Sequence, residues 1–137
     1  MHSDTKIVVR YAETDKMGIV HHSVYPIWYE AARTDFIKKV GMSYSQMEEN
    51  GFMLPLVELN SRYIMPADYD DELTVRVKIE RLTPARIVFG YEIYKEEKLI
   101  NTGSTMHAIT NKELKPVSLK KESSEMYNLL ESMMEKE

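Results

Sequence analysis

Residues 23–41 read SVYPIWYEAARTDFIKKVG, and this stretch decides the fold of the chain. Ser23 is a candidate N-cap, the following proline falls in the first turn, where proline is tolerated, and Gly41 is a candidate stop signal. The segment therefore predicts a helix over residues 24–40. Its apolar side chains cover more than one narrow stripe, and a helix that is apolar around much of its girth is usually buried on several sides. The sequence thus predicts one long helix at the centre of the fold.

On either side of the helix, apolar β-branched runs and segments of alternating apolar and polar residues are typical of β-strands. Residues 6–11 predict a first strand, and four more follow the helix over residues 54–65, 72–82, 86–95 and 98–110. Short turns join the last three, so we expect them to be antiparallel neighbours. One sheet and one buried helix predict an α+β fold in which the sheet curls around the helix, in contrast to a parallel βαβ sheet.

Two shorter helices complete the prediction. Ser45 and Glu48 fit a capping box for a short helix that ends at Gly51. Near the C-terminus, residues 123–134 predict an amphipathic helix, because methionines and leucines recur there at helical spacing. We expect this C-terminal helix to pack on the fold or to form an oligomer contact, with no catalytic role.

Composition limits the classes of protein to which the chain can belong. Its 137 residues favour a single domain over residues 1–137, and the absence of cysteine excludes disulfides, thiolate nucleophiles and Cys-ligated zinc. A net charge of −4 disfavours nucleic acid as a partner. No apolar run approaches the roughly 20 residues that span a bilayer, so we expect no membrane insertion. The N-terminus has no apolar signal segment, and we therefore expect a cytoplasmic protein.

The loop before the helix, residues 11–25, concentrates reactive side chains. It holds two acids, two histidines and two tyrosines immediately before a helix N-terminus. The unpaired backbone N–H groups of a helix start can hold the oxyanion that develops when a carbonyl is attacked. Asp15 lies upstream of such a start and is therefore a candidate catalytic group beside that carbonyl. The alternative is that Asp15 and Glu13 are solvated loop acids.

The histidines of this loop allow simpler interpretations. His22, next to the helix start, fits a packing or hydrogen-bonding role as well as a catalytic one. A metal site built from Asp15, His21 and His22 is disfavoured, because adjacent histidines tend to point apart and no fourth ligand is apparent. We therefore expect no metal. Other catalytic motifs are missing, since the chain has no G-x-S-x-G, no P-loop and no G-x-G-x-x-G.

Residues 10–33 read RYAETDKMGIVHHSVYPIWYEAAR, and they resemble the hotdog-fold acyl-CoA thioesterases of the 4-hydroxybenzoyl-CoA thioesterase-like group. The matching pattern is Tyr, then Thr-Asp, Gly, Val, His, Tyr and Glu-x-x-Arg. Weaker likenesses follow in residues 63–73 and 115–119, so the resemblance covers nearly the whole chain. It implies five antiparallel strands around one long helix. It also implies a homodimer, often paired into a homotetramer, with active sites between subunits.

The resemblance also implies roles for individual residues. Asp15 occupies the position of the family's catalytic aspartate, and His22 the position whose backbone N–H polarises the thioester carbonyl. Tyr11 matches an active-site tyrosine, and Tyr25 belongs to the matching pattern as a candidate substrate-binding residue. His21 departs from the family, where an aromatic residue is more usual, and this departure leaves the shape of the pocket open.

The implied reaction is hydrolysis of an acyl-CoA thioester to the free acid and CoA. No cofactor is expected, because CoA is part of the substrate. Asp15 can act as a base towards water or attack the carbonyl directly to form an anhydride. A thiol leaving group has a pKa of about 8.5 by analogy with cysteine, so its departure needs little help from a general acid. Arg86, after a turn, is a candidate ligand for the CoA phosphates, and a solvated turn arginine is the alternative.

Other functions are weighed against this one. A hotdog hydratase would place its histidine and acid in different motifs, and His22 is followed by Ser-Val-Tyr-Pro. A non-catalytic acyl-CoA-binding protein conflicts with the intact Asp15. A glutamate-nucleophile branch of the family uses a helix carboxylate instead of this aspartate. A thioesterase acting on acyl-carrier protein shares the same thioester, and the sequence does not distinguish it.

Overall fold

The computed structural model describes residues 1–39 and 41–134. A strand and a long helix are followed by four strands and a helical C-terminal segment, which confirms the predicted α+β order. No helix within the described ranges is long and apolar enough to cross a membrane. The elements are β1 (His2–Val8), α1 (Tyr25–Lys39), α2 (Tyr44–Glu49), β2 (Leu56–Tyr63), β3 (Glu72–Thr83), β4 (Arg86–Lys95), β5 (Lys98–Ala108), α3 (Leu119–Glu122) and α4 (Ser124–Ser132), with 3-10 turns at Tyr11–Glu13 and His22–Val24.

The five strands form one antiparallel sheet in the order β1-β3-β4-β5-β2, so β1 and β2 are its edges. The last three strands are neighbours, as predicted. The predicted alternation is also confirmed, because one face of β3 and β4 is buried and supplies much of the core. Its side chains, each exposed by 2% or less, are those of Leu73, Val75, Val77, Ile79, Ile87, Phe89, Tyr91 and Ile93.

Helix α1 packs on the buried face of the sheet through one side of its surface. The hydroxyl of buried Tyr29 bonds to Ser61 Oγ at 2.8 Å and donates to Asn101 Oδ1, which joins the helix to β2 and β5. Burial of a large apolar side chain contributes roughly 1.5–3 kcal/mol. The prediction that α1 is buried on several sides holds only in part, because Ile27 is 59% exposed. A single sheet covers only one side of a helix, so the opposite side of α1 stays open. The side chains that α1 buries are those of Tyr25, Trp28, Tyr29, Ala32, Phe36 and Ile37.

The predicted stop signal of α1 is confirmed. Gly41 has a φ of +83°, and its N–H donates to Lys38 O at 3.0 Å. The N–H of Met42 donates to Ile37 O at 3.3 Å, and these two bonds are those of a Schellman motif. The last residue of the predicted helix, Val40, lies outside the described residues.

Two boundaries nearer the N-terminus differ from the prediction. Ser23 is not the N-cap of the long helix. It lies inside a 3-10 turn over His22–Val24 that precedes α1, and His21 is the N-cap of that turn. The first strand ends earlier than the predicted range of residues 6–11, since Tyr11–Glu13 forms another 3-10 turn. The chain therefore leaves the sheet sooner and makes two tight turns before α1 begins.

Both predicted shorter helices are present with shifted starts. The capping box of α2 joins Ser43 and Gln46, where Ser43 Oγ accepts from Gln46 N–H at 3.1 Å, and the predicted pair of Ser45 and Glu48 is wrong. Helix α4 begins after its N-cap Ser123 and packs on the core, one of the two expected placements. Helix α3 is too short to show a hydrophobic period, so the sequence did not predict it. The side chains that α4 buries are those of Met126, Tyr127 and Leu130.

Candidate active site

A tight hairpin between β1 and α1 carries Asp15. Its arms meet at a bridge between Thr14 and Val20. The turn closes through Asp15 N–H to Ile19 O at 2.9 Å and Gly18 N–H to Asp15 O at 3.0 Å. Gly18 has a φ of +82°, a conformation that glycine adopts without the steric cost of a Cβ. The hairpin therefore fixes the backbone from which the Asp15 carboxylate projects.

The Asp15 carboxylate is only partly engaged by the protein. Oδ1 accepts from Met17 N–H at 2.8 Å, the bond of an Asx turn. No described residue donates a hydrogen bond to Oδ2, which leaves this oxygen available to water or substrate. Asp15 lines a cleft of about 300 Å³. The other lining residues are Met17, Ile19, Val20, His22, Tyr25, Tyr63, Ile64, Met65 and Pro66.

A second open group belongs to His22, which also lines this cleft, and it is the backbone N–H at the helical turn before α1. The N–H of His21 donates to Glu13 O at 2.9 Å, and the N–H of Ser23 to His21 Nδ1 at 3.2 Å. Within the described chain, no atom accepts a hydrogen bond from the N–H of His22. The first N–H groups of a helical segment lack intrahelical partners. Because His22 and Asp15 line the same cleft, the donor and the carboxylate can act on one bound molecule.

Two tyrosines contribute to the wall of the cleft. Tyr25 is buried and bonds to the backbone of Ala67, and burial raises the pKa of its hydroxyl. Tyr63 packs edge-to-face on Tyr25 with 5.0 Å between ring centroids, and its hydroxyl donates to His22 O at 2.8 Å. Tyr25 was predicted as a substrate-binding residue, and it lines the cleft. Tyr63 was not singled out, because no local pattern signals a bond across 41 positions.

Glu13 is not the solvated loop acid that the sequence allowed. It is 7% exposed, and both of its carboxylate oxygens accept hydrogen bonds. Oε1 accepts from Arg10 N–H at 2.8 Å, and Oε2 from Trp28 Nε1 at 3.1 Å. The guanidinium of Arg10 lies 3.5 Å from Oε2. Glu13 therefore fastens the loop to α1.

Tyr11 and Arg86, the other two predicted site residues, do not line this cleft in a single chain. Tyr11 is 77% exposed. Arg86 pairs with Ala108 of β5, whereas Tyr63 pairs with Asn101. Positions 101 and 108 are seven residues apart, about 23 Å along a strand. Arg86 therefore lies near the opposite end of the sheet from Tyr63.

The described residues, 1–39 and 41–134, include no group of three or more His, Asp or Glu side chains that could hold a metal ion. The rings of His21 and His22 lie 4.2 Å apart, so the expectation that these neighbours point apart is wrong. His21 Nδ1 is 2.7 Å from Ser23 Oγ and accepts from Ser23 N–H, which fits its role as the cap of the turn.

A second cleft, of about 380 Å³, lies further along α1. His107 lines it and is engaged through both ring nitrogens, with Nδ1 3.1 Å from Leu54 O and Nε2 2.9 Å from Thr105 Oγ1. Burial, reinforced by the charge of Arg33, lowers the pKa of His107 to about 4, against an opposing effect of the Leu54 carbonyl. His107 is therefore neutral near pH 7 and part of the packed fold.

Known proteins resemble the chain over most of its length. The family model described as the thioesterase-like superfamily matches residues 9–127. YneP of Bacillus subtilis (strain 168), named provisionally as an acyl-CoA thioesterase, is 39% identical over 121 residues, covering 87% of this chain and 88% of YneP. The acyl-acyl carrier protein thioesterase ATL3 of Arabidopsis thaliana is 27% identical over 92 residues, covering 67% of this chain and 48% of that protein.

Among solved structures, the crystal structure of DHNA-CoA thioesterase from Staphylococcus aureus has a TM-score of 0.90 and 35% identity, covering 96% of this chain and 89% of that one. The antiparallel sheet, the long helix and these neighbours define the class as a thioester hydrolase with the hotdog fold. More particularly, the chain belongs to the thioesterase-like superfamily, which confirms the resemblance that residues 10–33 carry.

Proposed function

We propose that this chain hydrolyses acyl-CoA thioesters to the free acid and CoA, as the sequence predicts. One observation carries the proposal: Asp15 and His22 line one cleft, and the Asp15 carboxylate and the His22 N–H each keep hydrogen-bonding capacity that no described residue uses. The carbonyl oxygen of a thioester needs such a donor, and the attacking oxygen needs such an acceptor. The names of YneP and of the S. aureus enzyme support CoA thioesters as the substrate class.

The thioester binds with its carbonyl oxygen at the His22 N–H and its carbonyl carbon near Asp15. In one route Asp15 takes a proton from water, and the water oxygen bonds to the carbonyl carbon. The C–S bond breaks, and the CoA thiolate receives the proton. In the other route an Asp15 oxygen attacks directly, the thiolate leaves, and water hydrolyses the mixed anhydride. Because the thiolate is a good leaving group, neither route requires a separate general acid.

The remaining predicted residues are assigned to other parts of the substrate. Tyr25, in the cleft wall, contacts the acyl group. Tyr11, on the exposed side of the same loop, contacts the CoA portion outside the cleft. Arg86 stays a proposed ligand of the CoA phosphates. Its position, about 23 Å along the sheet from Tyr63, accords with the distal end of CoA.

Strand β2 offers the contact for a second copy of the chain. It is an edge strand that pairs with β5 and with no other strand of the described residues, and such an edge with apolar side chains favours pairing with another chain. We therefore propose a homodimer through β2, or a homotetramer of two such dimers, with the active site at the subunit interface. The apolar side chains along and after β2, exposed by 40–54%, are those of Leu56, Val57, Leu59, Tyr63, Ile64 and Met65.

Light scattering of the purified protein tests the interface model. A dimer or tetramer is expected at the concentrations used in the activity assay. The cleft includes residues that follow β2, so the site should depend on the pairing of this strand. A stable monomer with full activity would contradict an active site that forms between subunits.

We also propose that the protein acts in the cytoplasm. The chain has no cysteine and therefore no disulfide that a reducing compartment such as the cytoplasm would break. Fractionation of the source cells, with the protein detected by antibody, should recover it with the cytoplasmic enzymes. Recovery with secreted or membrane-bound material would contradict this location.

Thiol release from a panel of acyl-CoA thioesters, followed with a thiol-trapping dye, tests the function itself. The panel runs from acetyl-CoA to palmitoyl-CoA and includes DHNA-CoA, after the name of the S. aureus enzyme. The same acyl groups on acyl-carrier protein form a second arm, because the A. thaliana relative is named for that carrier. We expect turnover of CoA esters. Faster turnover on the carrier protein would favour the second substrate class, and binding without thiol release would indicate a non-catalytic acyl-CoA-binding protein.

A further inference from the structure

Tyr63 connects the edge strand β2 to the turn at which α1 begins. Its hydroxyl donates to the backbone carbonyl of His22 at 2.8 Å. Its ring stands edge-to-face on Tyr25, with 86° between the ring planes, and this packing restricts the direction of the hydroxyl. Both rings line the cleft that contains Asp15. The bond therefore belongs to the wall of the site.

The carbonyl that Tyr63 holds belongs to His22, the cleft-lining residue whose N–H has no acceptor within the described chain. The N–H and the C=O of His22 lie in the two peptide planes that meet at its Cα, so holding the carbonyl restricts the rotation of one plane relative to the other. The neighbouring N–H, that of His21, is held by Glu13 O at 2.9 Å. The turn is thus fixed from the loop on one side and from β2 on the other. A donor stabilises an oxyanion best when its direction is set before the reaction.

We propose that Tyr63 is a positioning residue for thioester hydrolysis, whose hydroxyl holds the His22 carbonyl and so restricts the backbone at His22 to the conformation in which its N–H points at the carbonyl oxygen of the substrate. This role rests on the function proposed above. Tyr63 touches no reacting atom in this role and acts through the backbone. Because Tyr63 is the last residue of β2, the same bond links the oxyanion donor to the strand that pairs in the proposed dimer.

The substitution Tyr63→Phe removes the hydroxyl and keeps the ring. Loss of a whole oxyanion donor costs about 10²–10³-fold in kcat, so loosening a donor that remains should cost roughly tenfold. KM should change by less than about twofold, because the interaction acts in the transition state. A thioether analogue of the acyl-CoA, which lacks the carbonyl, should bind wild type and variant with the same Kd.

Tyr94→Phe is the matched control, because it removes a hydroxyl that donates to Glu92 Oε2 at 3.1 Å elsewhere on the sheet. It should keep the wild-type kcat. Amide hydrogen exchange gives a readout independent of activity. Exchange at the Val24 N–H, which donates to His21 O at 3.0 Å in the same turn, should be faster in Tyr63→Phe than in wild type and unchanged in Tyr94→Phe.

Several results would overturn this role. A Tyr63→Phe protein with wild-type kcat and wild-type exchange at the Val24 N–H would exclude this role. A Tyr63→Phe chain that failed to fold would assign the hydroxyl to stability alone. Asp15→Asn keeps the two proposals apart: wild-type activity in Asp15→Asn contradicts the proposed mechanism, whereas an inactive Asp15→Asn beside a fully active Tyr63→Phe contradicts only the role of Tyr63.

Discussion

Glu13 and Asp15 lie two residues apart in one loop, yet the fold uses their carboxylates differently. Both oxygens of Glu13 accept hydrogen bonds, from Arg10 N–H and Trp28 Nε1, and the side chain is buried. Asp15 uses Oδ1 for the N–H of Met17 and has no donor to Oδ2 among the described residues. A carboxylate whose acceptors are filled holds the loop in place, whereas one with an open oxygen can act on a substrate.

The same distinction separates two cleft-lining histidines, His22 in the turn before α1 and His107 on β5. His107 is buried and engaged through both ring nitrogens, by Leu54 O and Thr105 Oγ1. His22 is exposed, and its backbone N–H has no acceptor in the described part of the chain. Both clefts combine apolar walls with a histidine. Cavity shape alone therefore does not identify the site, and the open hydrogen-bonding groups do.

Replacement of Asp15 should have the largest effect and tests the contrast most directly. Asp15→Asn keeps the size of the side chain and an Oδ1 that can accept from Met17 N–H, and it removes the negative charge. As base or nucleophile, the carboxylate is worth roughly a hundredfold or more in rate. We expect kcat for acyl-CoA hydrolysis to fall by at least about a hundredfold, with circular dichroism and oligomer size unchanged.

Asp70→Asn is the matched control for this substitution. Asp70 is exposed and has a φ of +68°, a conformation that asparagine also tolerates. It should keep the wild-type rate. If folded Asp15→Asn hydrolyses acyl-CoA as fast as wild type, the proposed mechanism is wrong. Glu30, an exposed helix carboxylate, would then be the first candidate of the glutamate-nucleophile branch to test.

Replacement of Glu13 should affect stability more than chemistry. In Glu13→Gln an NH₂ group takes the place of one acceptor and faces either Arg10 N–H or Trp28 Nε1. Leaving a buried donor unpaired costs about 1–3 kcal/mol, so the urea midpoint should fall accordingly. We expect kcat of the folded variant to stay within about fivefold of wild type, because Glu13 makes no transition-state contact. A folded Glu13→Gln as inactive as Asp15→Asn would give Glu13 a part in the chemistry and break the contrast.

The site residues that were predictable from the sequence are those that a local pattern carries. Asp15 and His22 fall within the family-like residues 10–33, and their surroundings follow from a hairpin and a helix start. Glu13 was ambiguous, because its partner Trp28 Nε1 reaches it only when α1 packs against the loop. Tyr63 was missed because its bond to His22 joins distant parts of the chain.

The elements of the fold were likewise predictable where a local pattern defines them and not where distant parts of the chain meet. Strand β4 was predicted residue for residue, since alternation and two short turns bound it on both sides. The pairing of β1 with β3 and of β2 with β5 was not derivable from periodicity, because core packing sets those contacts over long sequence separations. The ends of short elements were also misplaced where several polar residues could cap a helix, as at Ser43 and Ser45.

The smallest expected effect concerns stability at mildly acidic pH, and it tests the contrast between buried His107 and exposed His22. The pKa of His107 is lowered to about 4 by burial and then by the charge of Arg33, from an ordinary value of 6.5. As the pH falls, the unfolded chain therefore binds this proton before the folded chain does. The contribution of His107 to stability is therefore complete above about pH 6.5. It is lost progressively as the pH falls from there to about 4, the pKa of the folded state. Between pH 7 and pH 5 we expect a loss of about 1–2 kcal/mol in the free energy of unfolding.

Urea unfolding of wild type and His107→Gln at these two pH values isolates that contribution. Glutamine does not titrate, and its amide can still offer a donor and an acceptor to Leu54 O and Thr105 Oγ1. Glu30 and Glu48 line the same cleft in both proteins, so their own titration cancels in the difference. Wild type should therefore lose more stability than the variant between pH 7 and pH 5. Equal losses would mean that His107 takes up its proton as readily when folded as when unfolded, and the contrast between a histidine enclosed by the fold and one open to substrate would lose its energetic basis.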